Sequence, residues 1–237
     1  MFVFLVLHAL ALTDYASLSG PTGWFKNRVI VVAETPEEEA AARKNPVVDM
    51  VAPFLYDVVA TNSTPFHDFV VAEGFAEEPR DYAVFSLESL TPLYQFPQTF
   101  AEILGNFTLE RGLRGVFLNN LETVFNAFGR SRRSVRRVVD EIGEFLHKHG
   151  VELFVILPQD KKVFDYTQLK RAGENIDGLV MPSFNYYEAS YHVSHLNAPM
   201  GFIKNVVQDY TFGREELLKK VAVAVSLAGF EYCGEDR

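Results

Sequence analysis

The residues best suited to chemistry stand where short apolar runs give out. One run, 115–121, ends around Asn119, Asn120 and Glu122. Others end in Tyr56 and Asp57, in Glu88, in Gln159 and Asp160, in Asn185 and Tyr186, and in Phe230 and Tyr232. The asparagines both donate and accept hydrogen bonds, the tyrosines offer a flat apolar ring with a polar tip, and Glu88 and Glu122 bring carboxyl groups. A set of this kind suits a neutral, hydroxyl-rich, sugar-like molecule. Acid chemistry would need a positioned carboxylic acid, and Glu122 is the first candidate, with Glu88 and Asp160 behind it. No glycine-rich loop that would cradle a phosphate is among these segments. His192 and His195 are three apart but have no acidic partner pinned nearby, so they read as structural or solvated, and no metal is expected. The single Cys233 excludes an internal disulfide and a cysteine-rich zinc site.

The elements that would position these residues follow from hydrophobic patterning. Seven β-branched or aromatic runs, at 28–33, 49–58, 82–89, 115–121, 152–158, 178–184 and 220–230, alternate with helix-like stretches at 36–44, 93–109, 133–149, 166–174, 200–210 and 214–219. Strands apolar on both faces imply a sheet covered by helices. This many βα steps predicts a (β/α)8 TIM barrel, incomplete at the C-terminus with about seven units. In such barrels the working residues lie at the C-terminal ends of the strands, which selects the list above. Alternation along 115–121 puts Phe117, Asn119 and Leu121 on the inward face. Glu122 falls off that register unless the strand bulges or ends before it. The glutamates at 37–39, after Pro36, read as a helix start and nothing more.

The chain has 237 residues, 48% of them hydrophobic, and a formal charge of −9, which argues against an electrostatic grip on nucleic acid. The opening twelve residues are apolar except for His8, carry Ala9 and Ala11 in an A-x-A arrangement, and are too short to span a bilayer. Residues 1–20 are therefore read as a signal peptide or N-terminal extension, and 21–237 as one domain. The alternative is a buried N-terminal segment of the fold, since no Lys or Arg precedes the run. With sequons at Asn62-Ser63-Thr64 and Asn106-Phe107-Thr108, the expectation is a secreted or luminal glycoprotein without a transmembrane segment. Arg130, Arg132, Arg133, Arg136 and Arg137 form the one basic cluster, read as a solvated face, with a sulfated glycan, a lipid head group or an acidic partner as the sharper alternatives.

Residues 113–121, Leu-Arg-Gly-Val-Phe-Leu-Asn-Asn-Leu, resemble the fourth strand of family 18 glycoside hydrolases, whose pattern D-G-x-D-x-D-x-E carries the catalytic glutamate. Residues 176–186 resemble the sixth strand, D-G-x-x-x-M-x-Y-D-Y. The stretch 152–158 is similar to the fifth strand of the chitinase domain-containing, stabilin-interacting chitinase-like subgroup, and the resemblance covers roughly residues 25–237. It departs where it matters: Arg114, Phe117, Asn119 and Leu121 stand where the pattern has Asp, Asp, Asp and Glu. The glutamate that the subgroup carries two places earlier corresponds to Asn119, also an amide. Phe184 and Asn185 replace a tyrosine and an aspartate.

Glycosidic cleavage needs a carboxylic acid to protonate the leaving oxygen, and an amide has no such proton to give. The resemblance thus implies a chitinase-like pseudoenzyme that binds N-acetylglucosamine-containing glycan without a cofactor. Its expected contacts are Tyr56, Glu88, Asn119, Asn120, Asn185, Tyr186 and Tyr232. No catalytic residue is expected, with Glu122 the fallback donor of a weak hydrolase. A third reading is an interaction protein with a closed barrel and a protein partner.

Overall fold

The computed structural model describes residues 3–7, 29–61, 67–90, 97–158, 162–164, 173–182, 205, 207–208 and 210–226. All seven runs that are apolar on both faces form strands: β2 (Val29–Ala33), β3 (Met50–Ala60), β5 (Tyr82–Leu87), β6 (Gly115–Asn119), β7 (Glu152–Ile156), β8 (Gly178–Pro182) and β9 (Val221–Ser226). Each pairs in parallel with the next, in the order β2-β3-β5-β6-β7-β8-β9. This is an incomplete (β/α)8 barrel of seven parallel strands. A further strand, β1 (Val3–Leu7), runs antiparallel to both β2 and β9. It stands in the gap that an eighth parallel strand would occupy, and it comes from the apolar opening run.

The interior is packed rather than hollow, as the fold requires. Alternate residues Ile30, Val32, Met50, Ala52, Tyr82, Val84, Phe117, Phe154, Val180, Ala222 and Ala224 form one buried cluster. Phe117 and Phe154 stack at 4.5 Å, and Tyr82 meets both edge-on at 6.5 and 6.3 Å. Gly115 makes room for this arrangement, since a Cβ there would lie 2.6 Å from the Tyr82 ring and 3.2 Å from Phe154. The Tyr82 hydroxyl donates to Glu152 Oε2 at 3.0 Å.

The opposite faces of the strands meet helices α1 (Pro36–Lys44), α2 (Pro97–Glu110), α3 (Leu121–Ala127) and α4 (Arg132–Lys148), and a short α5 (Glu215–Leu218) precedes β9. On α4, Val135, Val138, Val139, Ile142 and Leu146 make the buried stripe. The α2–α4 contact is close because Gly105 faces the Phe145 ring, which a Cβ would meet at 2.1 Å. Helices expected at 166–174 and 200–210 fall largely outside the described residues.

Three expectations need correction. The run 115–121 is not strand throughout: β6 stops at Asn119, Asn120 takes the left-handed conformation (φ 62, ψ 48), and Leu121 opens α3. Asparagine tolerates that conformation better than most residues, so the chain turns there, and Leu121 is buried between sheet and helices instead of facing inward. Secondly, β3 continues to Ala60 and doubles back as a hairpin with β4 (His67–Val71), a strand the sequence did not reveal.

Thirdly, the glutamates at 37–39 do more than start a helix. Glu38 receives the Glu34 N–H while Thr35 Oγ1 caps the Glu38 N–H, and Glu39 is a buried ion-pair partner of Arg80. The basic cluster is partly neutralised along α4. Arg136 pairs with Asp140 at 2.5 Å, Arg137 with Glu141 at 3.8 Å, and Arg132 donates to the Lys162 carbonyl.

Candidate functional site

The C-terminal ends of β3, β5 and β6 build a polar mouth above the apolar interior. Phe54 pairs with Val84, but Tyr56 pairs with Phe85 and Asp57 with Ser86, so β3 carries a bulge between Phe54 and Tyr56. The bulge reverses the facing that simple alternation from Phe54 would give. Asp57 therefore joins Ser86 on the inward face, and Ser86 pairs in turn with Asn119. With neighbouring strands about 4.8 Å apart, Asp57 and Asn119 lie about 10 Å apart across the row, with Ser86 between them.

Ser86 is buried and donates from Oγ to Glu88 Oε1 at 2.6 Å. Glu88 is exposed just past the end of β5, where its N–H reaches the Val58 carbonyl at 3.0 Å. Asp57 is half-buried. Burial first, then the negative charge of Glu88, holds its carboxyl above the ordinary aspartate range. Asn119 and Asn120 are both half-buried at the end of β6. Two expected contacts, Glu88 and Asn119, are thus brought together around Ser86, a residue absent from the sequence-derived set. A sequence signal for the bulge existed in Pro53, since proline within a strand marks an edge or an irregularity.

Tyr56 does not face the mouth. It is buried between sheet and helices, its ring 5.0 Å from Phe85 and 5.0 Å from Phe107, and burial pushes its phenol up. The bulge is the physical reason, because it gives the inward position to Asp57. Glu122 lies half-buried in the first turn of α3, beyond the end of β6. Asn185, Tyr186 and Tyr232 lie outside the described residues, as do Gln159, Asp160, Phe230, His192, His195 and Cys233. Among the described residues, no three His, Cys, Asp or Glu side chains are grouped to hold a metal ion, and no helix is long and apolar enough to cross a membrane.

No protein-family model matches the chain, and no curated protein does. Solved structures do. A chitinase from Chromobacterium violaceum aligns with a TM-score of 0.61 at 15% identity, over 81% of this chain and 66% of that one. A GH18 chitinase from Pseudoalteromonas aurantia aligns at 0.56 and 14% identity, over 82% and 78%. The spore cortex-lytic enzyme SleL of Bacillus cereus aligns at 0.55 and 15% identity, over 82% of this chain but 49% of its own. This chain thus spans slightly under two thirds of the first of these and about half of the last. What it shares with family 18 chitinases is the fold, an incomplete (β/α)8 barrel of the chitinase type.

Proposed function

We propose that this chain is a chitinase-like carbohydrate-binding protein, a family 18 pseudoenzyme that recognises N-acetylglucosamine-containing glycans at the barrel mouth. One observation carries the reading. Where the family pattern places its acidic residues, β6 ends in an amide at Asn119, turns at Asn120 and continues into the buried, apolar Leu121. Protonating a glycosidic oxygen requires a carboxylic acid aimed at it, and this strand end supplies none.

Hydrogen bonding survives the loss. Asn119 offers both donors and an acceptor, Ser86, its hydroxyl hydrogen given to Glu88, and Glu88 itself accept, and Asn120, Asn185, Tyr186 and Tyr232 complete the proposed contacts. The sequons are compatible with a secreted or luminal setting, whereas the opening run is a strand of the barrel and lends that setting no support. The second reading is a weak hydrolase with Glu122 as donor, favoured by the position of that residue one turn from the strand end.

Calorimetric titration with N-acetylglucosamine oligomers tests the binding claim. The expected result is saturable binding that Asn119→Ala weakens by about tenfold, the equivalent of one hydrogen bond with a buried partner left unmet. Absence of binding, or binding indifferent to Asn119→Ala and Glu88→Ala alike, would overturn it.

A further inference from the structure

We propose that Asp57 is the specificity-determining residue of the mouth: protonated, it donates the hydrogen bond that selects an N-acetylated sugar, and ionised, it turns the site toward the free-amine form. The proposal rests on the reading of the mouth as a glycan site.

The geometry begins with the bulge in β3, which sets Asp57 beside Ser86 on the inward face, in one row with Asn119. Ser86 donates to Glu88 Oε1 at 2.6 Å and so fixes that carboxylate as an acceptor at the same rim. On the hairpin, Asp57 pairs with Val70 and Val59 with Asp68, so Asp68 shares the face two residues along. The charged groups facing Asp57 from β4 and β5 are therefore Asp68 and Glu88, both acidic.

The two sugar forms ask opposite things of such a row. An acetamide carbonyl only accepts, so it needs a donor, whereas an ammonium group only donates and gains from nearby negative charge. A neutral aspartic acid has an O–H to give, and an ionised one has only acceptors. Asn119 donates through its amide at any pH, so Asp57 is the member of the row whose role reverses. Burial and the Glu88 charge extend its neutral form toward higher pH than an ordinary aspartate allows.

The test is calorimetric titration of the full chain from about pH 3.5 to about pH 6, a span that covers ordinary and raised carboxyl values while the glucosamine amine stays an ammonium group. The ligands are the N-acetylglucosamine tetramer and the glucosamine tetramer. Wild-type affinity for the acetylated tetramer is expected to fall by about tenfold as pH rises, while affinity for the glucosamine tetramer rises. Asp57→Asn, which keeps a donor at every pH, should bind the acetylated tetramer tightly with a flat profile. Glu88→Gln should move the wild-type fall to lower pH, and it decides the matter if Asp57→Asn does not fold.

A flat wild-type profile with measurable binding would overturn the proposal and leave the glycan reading standing. A fall that persists in Asp57→Asn, or a midpoint unmoved by Glu88→Gln, would also overturn it. No binding of either tetramer at any pH would sink the glycan reading, and this inference with it.

Discussion

Arg80 and Glu39 form a two-pronged ion pair, with Arg80 Nε 2.8 Å from Glu39 Oε1 and Arg80 Nη2 3.0 Å from Oε2. Both side chains are buried, at 5% and 7% exposure, and they tie α1 to the segment entering β5. Arg80 also donates to the carbonyls of Ala76 and Glu78, and Arg43 adds a second cation on Glu39. Every partner is therefore matched, the condition under which a buried pair holds a fold together.

Removing one member should be costly. Arg80→Met leaves the Glu39 carboxylate buried with only the half-exposed Arg43, and is expected to lower unfolding free energy by about 3–5 kcal/mol. The double variant Arg80→Met, Glu39→Leu should recover much of the loss. Urea denaturation of the three proteins measures both effects, and a single variant as stable as wild type would contradict the assignment.

The pair also sets an acid limit on stability. Although burial alone would raise it, Glu39 is held below its usual value by hydrogen bonds and charge from Arg80 and Arg43. A carboxyl lowered in the folded state contributes stability that is fully present above its unfolded value. That contribution is lost as pH falls through the folded value. Wild-type unfolding free energy should thus drop below about pH 4.5, and the drop should shrink in Glu39→Gln.

His67 works at higher pH. It is 1% exposed, neither ring nitrogen has a hydrogen-bond partner among the described residues, and its ring meets Phe100 edge-on at 5.0 Å. Burial lowers its proton affinity, with Asp68 opposing more weakly. A histidine held neutral in the fold destabilises it as pH falls below the unfolded value of about 6.5 and until the lowered folded value is passed. His67→Phe should flatten the pH dependence below about pH 6.5 and raise stability there. Thermal melts across that range would show it; an unchanged slope would contradict it.

Gly115 stands at the glycine of the family-like pattern, yet its environment gives it a packing reason. Gly115→Ala would press a methyl group into the Tyr82 ring and is expected to cost about 1–3 kcal/mol. Combining it with Tyr82→Leu should cost less than the sum of the two single changes, and additive costs would contradict this contact.

The seven barrel strands were legible because both-face apolar runs have few alternatives to a covered parallel sheet. β4 was not, since His67-Asp68-Phe69-Val70-Val71 is short and mixed, with Val70 exposed and, among the described strands, β3 alone beside it. The turn at Asn120 was written in the Asn119-Asn120 pair, whose side chains suit turns, but the apolar Leu121 disguised it as more strand. Of the site, Glu88 and Asn119 could be placed from strand ends alone. The strand-end rule took Tyr56 rather than Asp57 as a contact, because a bulge inserts one residue and leaves little trace beyond Pro53. The ion pair of Glu39 escaped because its partner lies 41 residues away, beyond any local pattern.

The central claim is that the barrel holds glycan without cutting it. Turnover of a fluorogenic chitobiose substrate, measured alongside binding to insoluble chitin on the same sample, addresses it most directly. The account predicts retention on chitin with no fluorophore released above the uncatalysed rate. Release that disappears in Glu122→Gln while retention persists would contradict it.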